Sequence, residues 1–376
     1  MIMMILDWAK TFDSIDPSSL LHALKRFGLP DKLMQAIAAI YSDRKFFVQD
    51  GGHKSAIHDQ LFGISQGCPL SPFLFVIIMS VLFHDAKNKL QTEQHICLSE
   101  FLACHELLYA DDTLLVETDR HKLQAYMNCI VECGREYGLK LNWNKVEQMN
   151  INCEGEELHQ PEGPPISCKQ SLKYLGAQLA ADGMLDSEIA QKIGRATQDF
   201  KSLKQFWNHC YIPIRFKFIV FSVCILQRLL YSLEGVWLNK HLLKKLDGFY
   251  CKCLRHILKI SPSFISRVSN KYILAQFNSK SLSLILLQRQ LYLFGKIARM
   301  PDESVMRSCI FSEQTIDLIK NEKKRQGRPR NTWAEELHKR SQHISNRADI
   351  CLKNIILDAK SWQYHVQQYI DFIACN

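Results

Sequence analysis

The stretch ELLYADDTLLVE, residues 106–117, places two adjacent acidic side chains between two short apolar runs. Runs of this length read as strands, and an Asp pair between them reads as a tight turn. A hairpin of this kind constrains the fold: its strands must enter a core while its charged tip must stay at the edge. A second segment repeats the device. Residues 1–7, MIMMILD, form an unbroken apolar run that ends in Asp7, the pattern of a strand buried on both faces. Two like charges about 4 Å apart repel by roughly 1 kcal/mol in water and about 4 kcal/mol at an effective dielectric of 20. If Asp7, Asp111 and Asp112 meet at one edge, they need a proton or a cation between them. Magnesium, a hard ion that prefers oxygen, is the natural cation. Taken singly, each segment is also ordinary turn or helix-start chemistry.

The intervening sequence predicts helices and strands in mixed order. Pro17, Ser18 and Ser19 open a helix carrying Leu20, Leu21, Leu24 and Phe27 on one face, and Gly28 and Pro30 end it. A second helix follows with Leu33, Ile37 and Ile40 inward. Residues 45–49 and 56–62 read as a hairpin about Asp50-Gly51-Gly52. A long apolar helix starts near residues 69–71, and another covers about 119–137 with Leu123, Met127, Ile130 and Tyr137 on one face. Strands near 147–152 and 172–179 flank a Pro/Gly/Glu loop, and from Asp182 onward the pattern is helical and basic. This order gives an α+β fold with an antiparallel sheet over residues 1–180, followed by an all-helical remainder.

Five segments in order resemble the motifs of reverse transcriptases, in particular those of non-long-terminal-repeat retrotransposons. They are LDWAKTFDSID (6–16), FGISQGCPLSPFLFVI (62–77), YADD (109–112), GLKLNWNKVEQM (138–149) and KYLG (173–176). The resemblance implies a right-hand polymerase: a palm with partial fingers over residues 1–180, a helical thumb over 181–262 and a basic helical C-terminal region over 263–376. It implies that Asp7, Asp111 and Asp112 bind two Mg2+ ions, or Mn2+, for in-line nucleotidyl transfer. It implies further that the Trp8 carbonyl adds an oxygen ligand and that Phe12 packs under the sugar, excluding a 2′-hydroxyl. Gln66, Gly67 and Tyr109 would contact the incoming nucleotide and template base, and Lys145 would protonate the leaving pyrophosphate. Tyr174, Leu175 and Gly176 would grip the primer. The implied partners are an RNA template, a DNA primer and deoxynucleoside triphosphates. RNA-templated RNA synthesis on the same scaffold is disfavoured by Phe12. The first catalytic Asp lies so near the start of the sequence that most of the fingers are expected to be missing, as in a truncated copy or a piece of a polyprotein.

Charge divides the sequence in the same place. Residues 1–191 hold 16 Lys and Arg against 25 Asp and Glu, a balance of −9, whereas residues 192–350 hold 29 against 11, a balance of +18. A basic second half suggests a polyanionic partner, and a thumb of this kind tracks duplex phosphates without reading sequence. The alternative function is therefore a catalytically silent remnant that binds nucleic acid through this half. The run KKRQGRPRN offers Lys323, Lys324, Arg325, Arg328 and Arg330 as nucleic-acid contacts. Its Gly-Arg-Pro core resembles an AT-hook, and a solvated basic linker or import patch is the plainer reading. The 14 cysteines lack paired spacing, and Cys251, Cys253 and His256 crowd too closely for a tetrahedral zinc set. Reduced thiols, a chain with no membrane span and a nuclear or cytoplasmic location are expected. Oligomeric state is not legible.

Overall fold

The computed structural model describes residues 1–102, 104–153, 157–209, 211–319 and 332–375. The chain divides into two compact units, Met1–Gly183 and Met184–Asn376. The run with Lys323, Lys324, Arg325, Arg328 and Arg330 lies outside the described residues.

In the first unit Ile2, Met4 and Leu6 are buried and alternate with partly exposed neighbours, the period of strand β1 (Ile2–Leu6). A single helical turn α1 (Thr11–Ser14) and helices α2 (Pro17–Phe27) and α3 (Asp31–Tyr41) follow. Helix α2 starts where the Asp16 carboxylate accepts from the Ser19 N–H, has Pro at its first turn, and stops at left-handed Gly28. The short strands β2 (Lys45–Phe46), β3 (Gln49–Asp50), β4 (His53–Lys54) and β5 (His58–Asp59) form the expected hairpin, pairing β2 with β5 and β3 with β4. Then come α4 (Ser71–Glu93), β6 (Glu106–Tyr109), β7 (Asp112–Glu117) and α5 (Arg120–Glu136). The unit closes with β8 (Glu147–Asn150), β9 (Ser167–Cys168), β10 (Ser171–Tyr174) and β11 (Ala177–Ala180).

The main sheet has the order β6-β7-β1-β8-β9, antiparallel except for the β8–β9 edge pair. One face carries Ile2, Met4, Leu6 and Leu115 into a core with Leu20 and Leu24 of α2, Leu74, Ile78 and Leu82 of α4, and Leu123, Met127 and Ile130 of α5. The hairpin β10–β11 contacts β8. The mixed α+β class expected from the sequence is the class observed.

Three apolar assignments are corrected. Leu33 and Ile40 are each 54% exposed, Phe27 is 55% exposed, and α3 buries only Ile37 and Tyr41. Leu107 and Leu108 are each 41% exposed because β6 is an edge strand. Apolar spacing selects a face; whether another element covers that face is a tertiary matter.

The second unit is helical. Its elements are α6 (Asp186–Ser202), α7 (Lys204–Asn208), α8 (Ile214–Phe221), a π-helical turn (Ser222–Leu226), α9 (Gln227–Leu230), α10 (Lys240–Ile257), α11 (Ser263–Ser266) and α12 (Asn270–Gln276). Then follow α13 (Leu282–Ala298), α14 (Val305–Ser308), α15 (Trp333–Ala348), α16 (Leu352–Leu357) and α17 (Ala359–Cys375). One core gathers Trp207, Phe221, Leu246, Tyr250 and Leu286, and another gathers Leu291, Phe294, Leu337, Trp362 and Ile370, so α13 serves both. Trp207 is fully buried, and Trp237 and Trp333 pack against the second core. Among the described residues no cysteine forms a disulfide, and no helix is long and apolar enough to cross a membrane.

Candidate active site

Antiparallel pairing sets Leu6 opposite Thr113 and Ile5 opposite Leu114. Continuing that register by one residue places Asp7 opposite Asp112. Opposed residues share a face of the sheet, and successive residues alternate. Leu6 and Thr113 point into the core, so Asp7 and Asp112 leave the sheet on its other face. Tyr109 pairs with Asp112, which makes Ala110-Asp111 a two-residue hairpin loop. Ala110 takes a left-handed conformation at φ 54°, which costs a residue with a Cβ roughly 1–2 kcal/mol. The pairing of β6 with the buried strand β7 holds that strain in place. Asp7 and the Asp111-Asp112 pair, far apart in sequence, thus meet at one end of β1 and β7.

The electrostatics agree with the register. Burial, and then the charges of Asp111 and Asp7, raise the Asp112 carboxyl above its ordinary value. Among the described residues no three His, Cys, Asp or Glu side chains form a ready-made metal cluster. The carboxylates share one edge of the sheet without converging on one point. The Lys145 ammonium lies 3.5 Å from Asp7 Oδ2, and the Asn142 N–H donates to the Asp7 carbonyl at 2.8 Å. The donor set nevertheless suits magnesium: hard carboxylate oxygens, an excess of negative charge, and one member that already favours binding a cation.

Trp8 is buried below this edge. Its indole N–H donates to the Thr113 hydroxyl at 3.4 Å, and its carbonyl accepts from the Thr11 hydroxyl at 3.3 Å. That carbonyl is therefore engaged within the fold rather than left bare. Phe12, on α1, stacks on Phe75 of α4 with ring centroids 5.1 Å apart. The segment holding Gln66 and Gly67 docks directly on the first motif. Gly63 N–H donates to the Ile15 carbonyl and Ile64 N–H to the Phe12 carbonyl, both at 2.7 Å, and the Gln66 amide donates to Asp13 Oδ1 at 3.1 Å. A Cβ on Gly63 would fall 2.8 Å from the Asp13 Cα, so only glycine permits this approach. Gly67 lies in the turn ahead of α4, where the Ser71 hydroxyl donates to the Ser65 carbonyl at 2.6 Å.

Tyr174, Leu175 and Gly176 form the turn of β10–β11. Leu175 and Gly176 both have positive φ, as a primed two-residue hairpin requires. The Tyr174 hydroxyl donates to the Leu107 carbonyl of β6 at 3.0 Å. Burial, and then the Asp112 charge, raise its pKa. Tyr109 is 66% exposed beside the acidic loop. Sequence reasoning did not single out Thr113, Asn142 or Asp13. The second Asp of the first motif was the available signal for Asp13, whereas the Asn142 link is main-chain and carries no signature.

A family model described as reverse transcriptase (RNA-dependent DNA polymerase) matches residues 1–179. The chain is 25% identical over 204 residues to the retrovirus-related Pol polyprotein of the type-2 retrotransposable element R2DM of Drosophila melanogaster, covering 51% of this chain and 19% of that protein. It is 31% identical over 197 residues to the Pol polyprotein of the type-1 retrotransposable element R2 of Nasonia vitripennis, covering 49% and 19%. It thus spans about a fifth of the length of these relatives. A solved telomerase from Candida tropicalis, in complex with a telomeric RNA fragment, is 16% identical, with a TM-score of 0.38, over 82% of this chain and 48% of that one. The chain therefore carries, in residues 1–179, a reverse transcriptase domain of the non-long-terminal-repeat retrotransposon type.

Proposed function

We propose that this domain extends a DNA primer with deoxynucleotides on an RNA template, inside the cell, using two Mg2+ ions held by Asp7, Asp111 and Asp112. The observation that carries the reading is the β1–β7 register, which sets Asp7 opposite Asp112 beside the Asp111 loop. When bound, the ions supply the primer 3′-hydroxyl with a lowered pKa and the triphosphate with a counter-charge. The remaining roles fall to the protein. Lys145, already within 3.5 Å of Asp7, donates a proton to the departing pyrophosphate. Phe12, backed by Phe75, fills the space a 2′-hydroxyl would need. Gln66 and Gly67 offer an amide and a bare backbone to the incoming nucleotide. The turn at Tyr174, Leu175 and Gly176, tied to β6, seats the primer end.

Primer extension on an RNA template with purified chain tests this. Incorporation that disappears in Asp111→Asn supports it; no template-dependent incorporation by the wild-type chain overturns it. Phe12→Ala is expected to raise ribonucleotide use relative to deoxynucleotide use by at least about tenfold, the scale on which a filled pocket rejects an extra group. The ratio of the two incorporation rates is the measurement.

A further inference from the structure

The second unit contains a cavity of about 950 Å3 between α6–α7 and α10, at the upper end of the range for ligand sites. Lys201, Lys204 and Lys252 stand around it, Phe200 and Phe264 contribute rings, and no Asp or Glu lines it. Among the described residues none of these three lysines has an ion-pair partner. The wall is held in shape. Phe200 stacks on the buried Trp207 at 5.0 Å and 13°. The buried Lys217 ammonium donates to the Trp207 and His209 carbonyls at 2.6 and 2.7 Å. Arg255 spends its guanidinium on the Val268 carbonyl and the Asn270 side chain, which pins the segment bearing Phe264. That ring is nonetheless 76% exposed.

Gly248 points the same way. It lies inside α10 and lines the cavity. A glycine there costs about 1 kcal/mol relative to alanine. Packing does not demand it, because a Cβ at this position would meet no atom within 4 Å. Its effect is to leave the helix backbone bare on the cavity wall, open to a close-approaching ligand.

We propose that this cavity binds an unpaired nucleic-acid strand, with a base against Phe264 and Phe200 and its flanking phosphates on Lys201, Lys204 and Lys252. Basic side chains beside an exposed ring are the chemistry of single-strand sites, since every base offers a face for stacking. A duplex hides those faces and needs only a basic surface. The inference concerns residues 197–270 and does not depend on the polymerase reading of residues 1–179.

The test uses the full chain with a fluorescent oligothymidylate of about 12 nucleotides, a typical single-strand site size, carrying a photoreactive thymidine. Cross-links are expected at Phe264 and its neighbours, mapped by mass spectrometry. Gly248→Leu is expected to abolish that cross-link and weaken single-strand binding about tenfold, the scale of one lost stacking contact. Its melting temperature should stay the same or rise, because the helix gains a better former. Phe264→Ala, at an exposed position, should do the same without touching the core. Replacing all three lysines by alanine should lower the salt slope by about 2. The proposal is overturned if no adduct falls within residues 197–270, if Gly248→Leu leaves the cross-link intact, or if poly-glutamate displaces the oligonucleotide as well as unlabelled strand does.

Discussion

At the scale of single residues, Asp112 carries a pH signature. Its pKa is raised in the fold, so its ionised form opposes folding. The stability it contributes is complete below the unfolded value near 3.8 and is lost as pH rises through the folded value. Asp112→Asn should therefore melt higher than wild type at neutral pH, and the difference should vanish below about pH 3.8. Calorimetry across that window checks the sign. Ala110→Gly should relieve the left-handed turn and stabilise the domain by about 0.5 kcal/mol, after allowance for the extra chain entropy of glycine; denaturant midpoints measure it. The carboxylates were legible in the sequence because an unbroken apolar strand must deliver its terminal Asp to an edge. The pairing of Lys145 with Asp7 was not, because a surface lysine carries no pattern. The Asp7 carboxylate faces that ammonium at 3.5 Å.

At the scale of elements, close approach between packed segments decides more than propensity does. Gly295 on α13 would place a Cβ 2.2 Å from the Trp362 indole nitrogen. That nitrogen donates to the Leu291 carbonyl at 2.9 Å inside a fully buried site. Gly295→Ala should thus cost about 3 kcal/mol, the upper part of the overpacking range, read as a lower denaturation midpoint with altered tryptophan fluorescence. Nothing local announces this contact, because Trp362 lies on α17. Helices α2, α4 and α5 were readable from their caps and periodicity. Helix α3 was misjudged at Leu33 and Ile40, because apolar spacing cannot say which face a neighbour will cover. The cavity of the second unit was unreadable for a related reason: concavity arises between helices and leaves no period in any one of them.

At the scale of the whole molecule, charge is distributed by half, with −9 in residues 1–191 and +18 in residues 192–350. Nucleic-acid affinity of the full chain should then fall by about 10³ between 50 and 200 mM salt, as expected for six or more phosphate contacts. Filter binding across that range measures the slope, and a flat profile would assign the binding to non-ionic contacts. The boundary at which composition changes also lies close to the division between the compact units at Gly183 and Met184, which made this the most legible feature of organisation. Strand β1 occupies the middle of its sheet, flanked by β7 and β8. Its hydrogen-bonding partners are residues 113–117 on one side and 147–150 on the other, so the ribosome must deliver residue 150 before both sides of β1 can be satisfied. Closing such long loops is entropically slow. The acidic edge is consequently assembled late in biogenesis, and a nascent chain arrested before residue 150 should leave its first strand open to proteolysis.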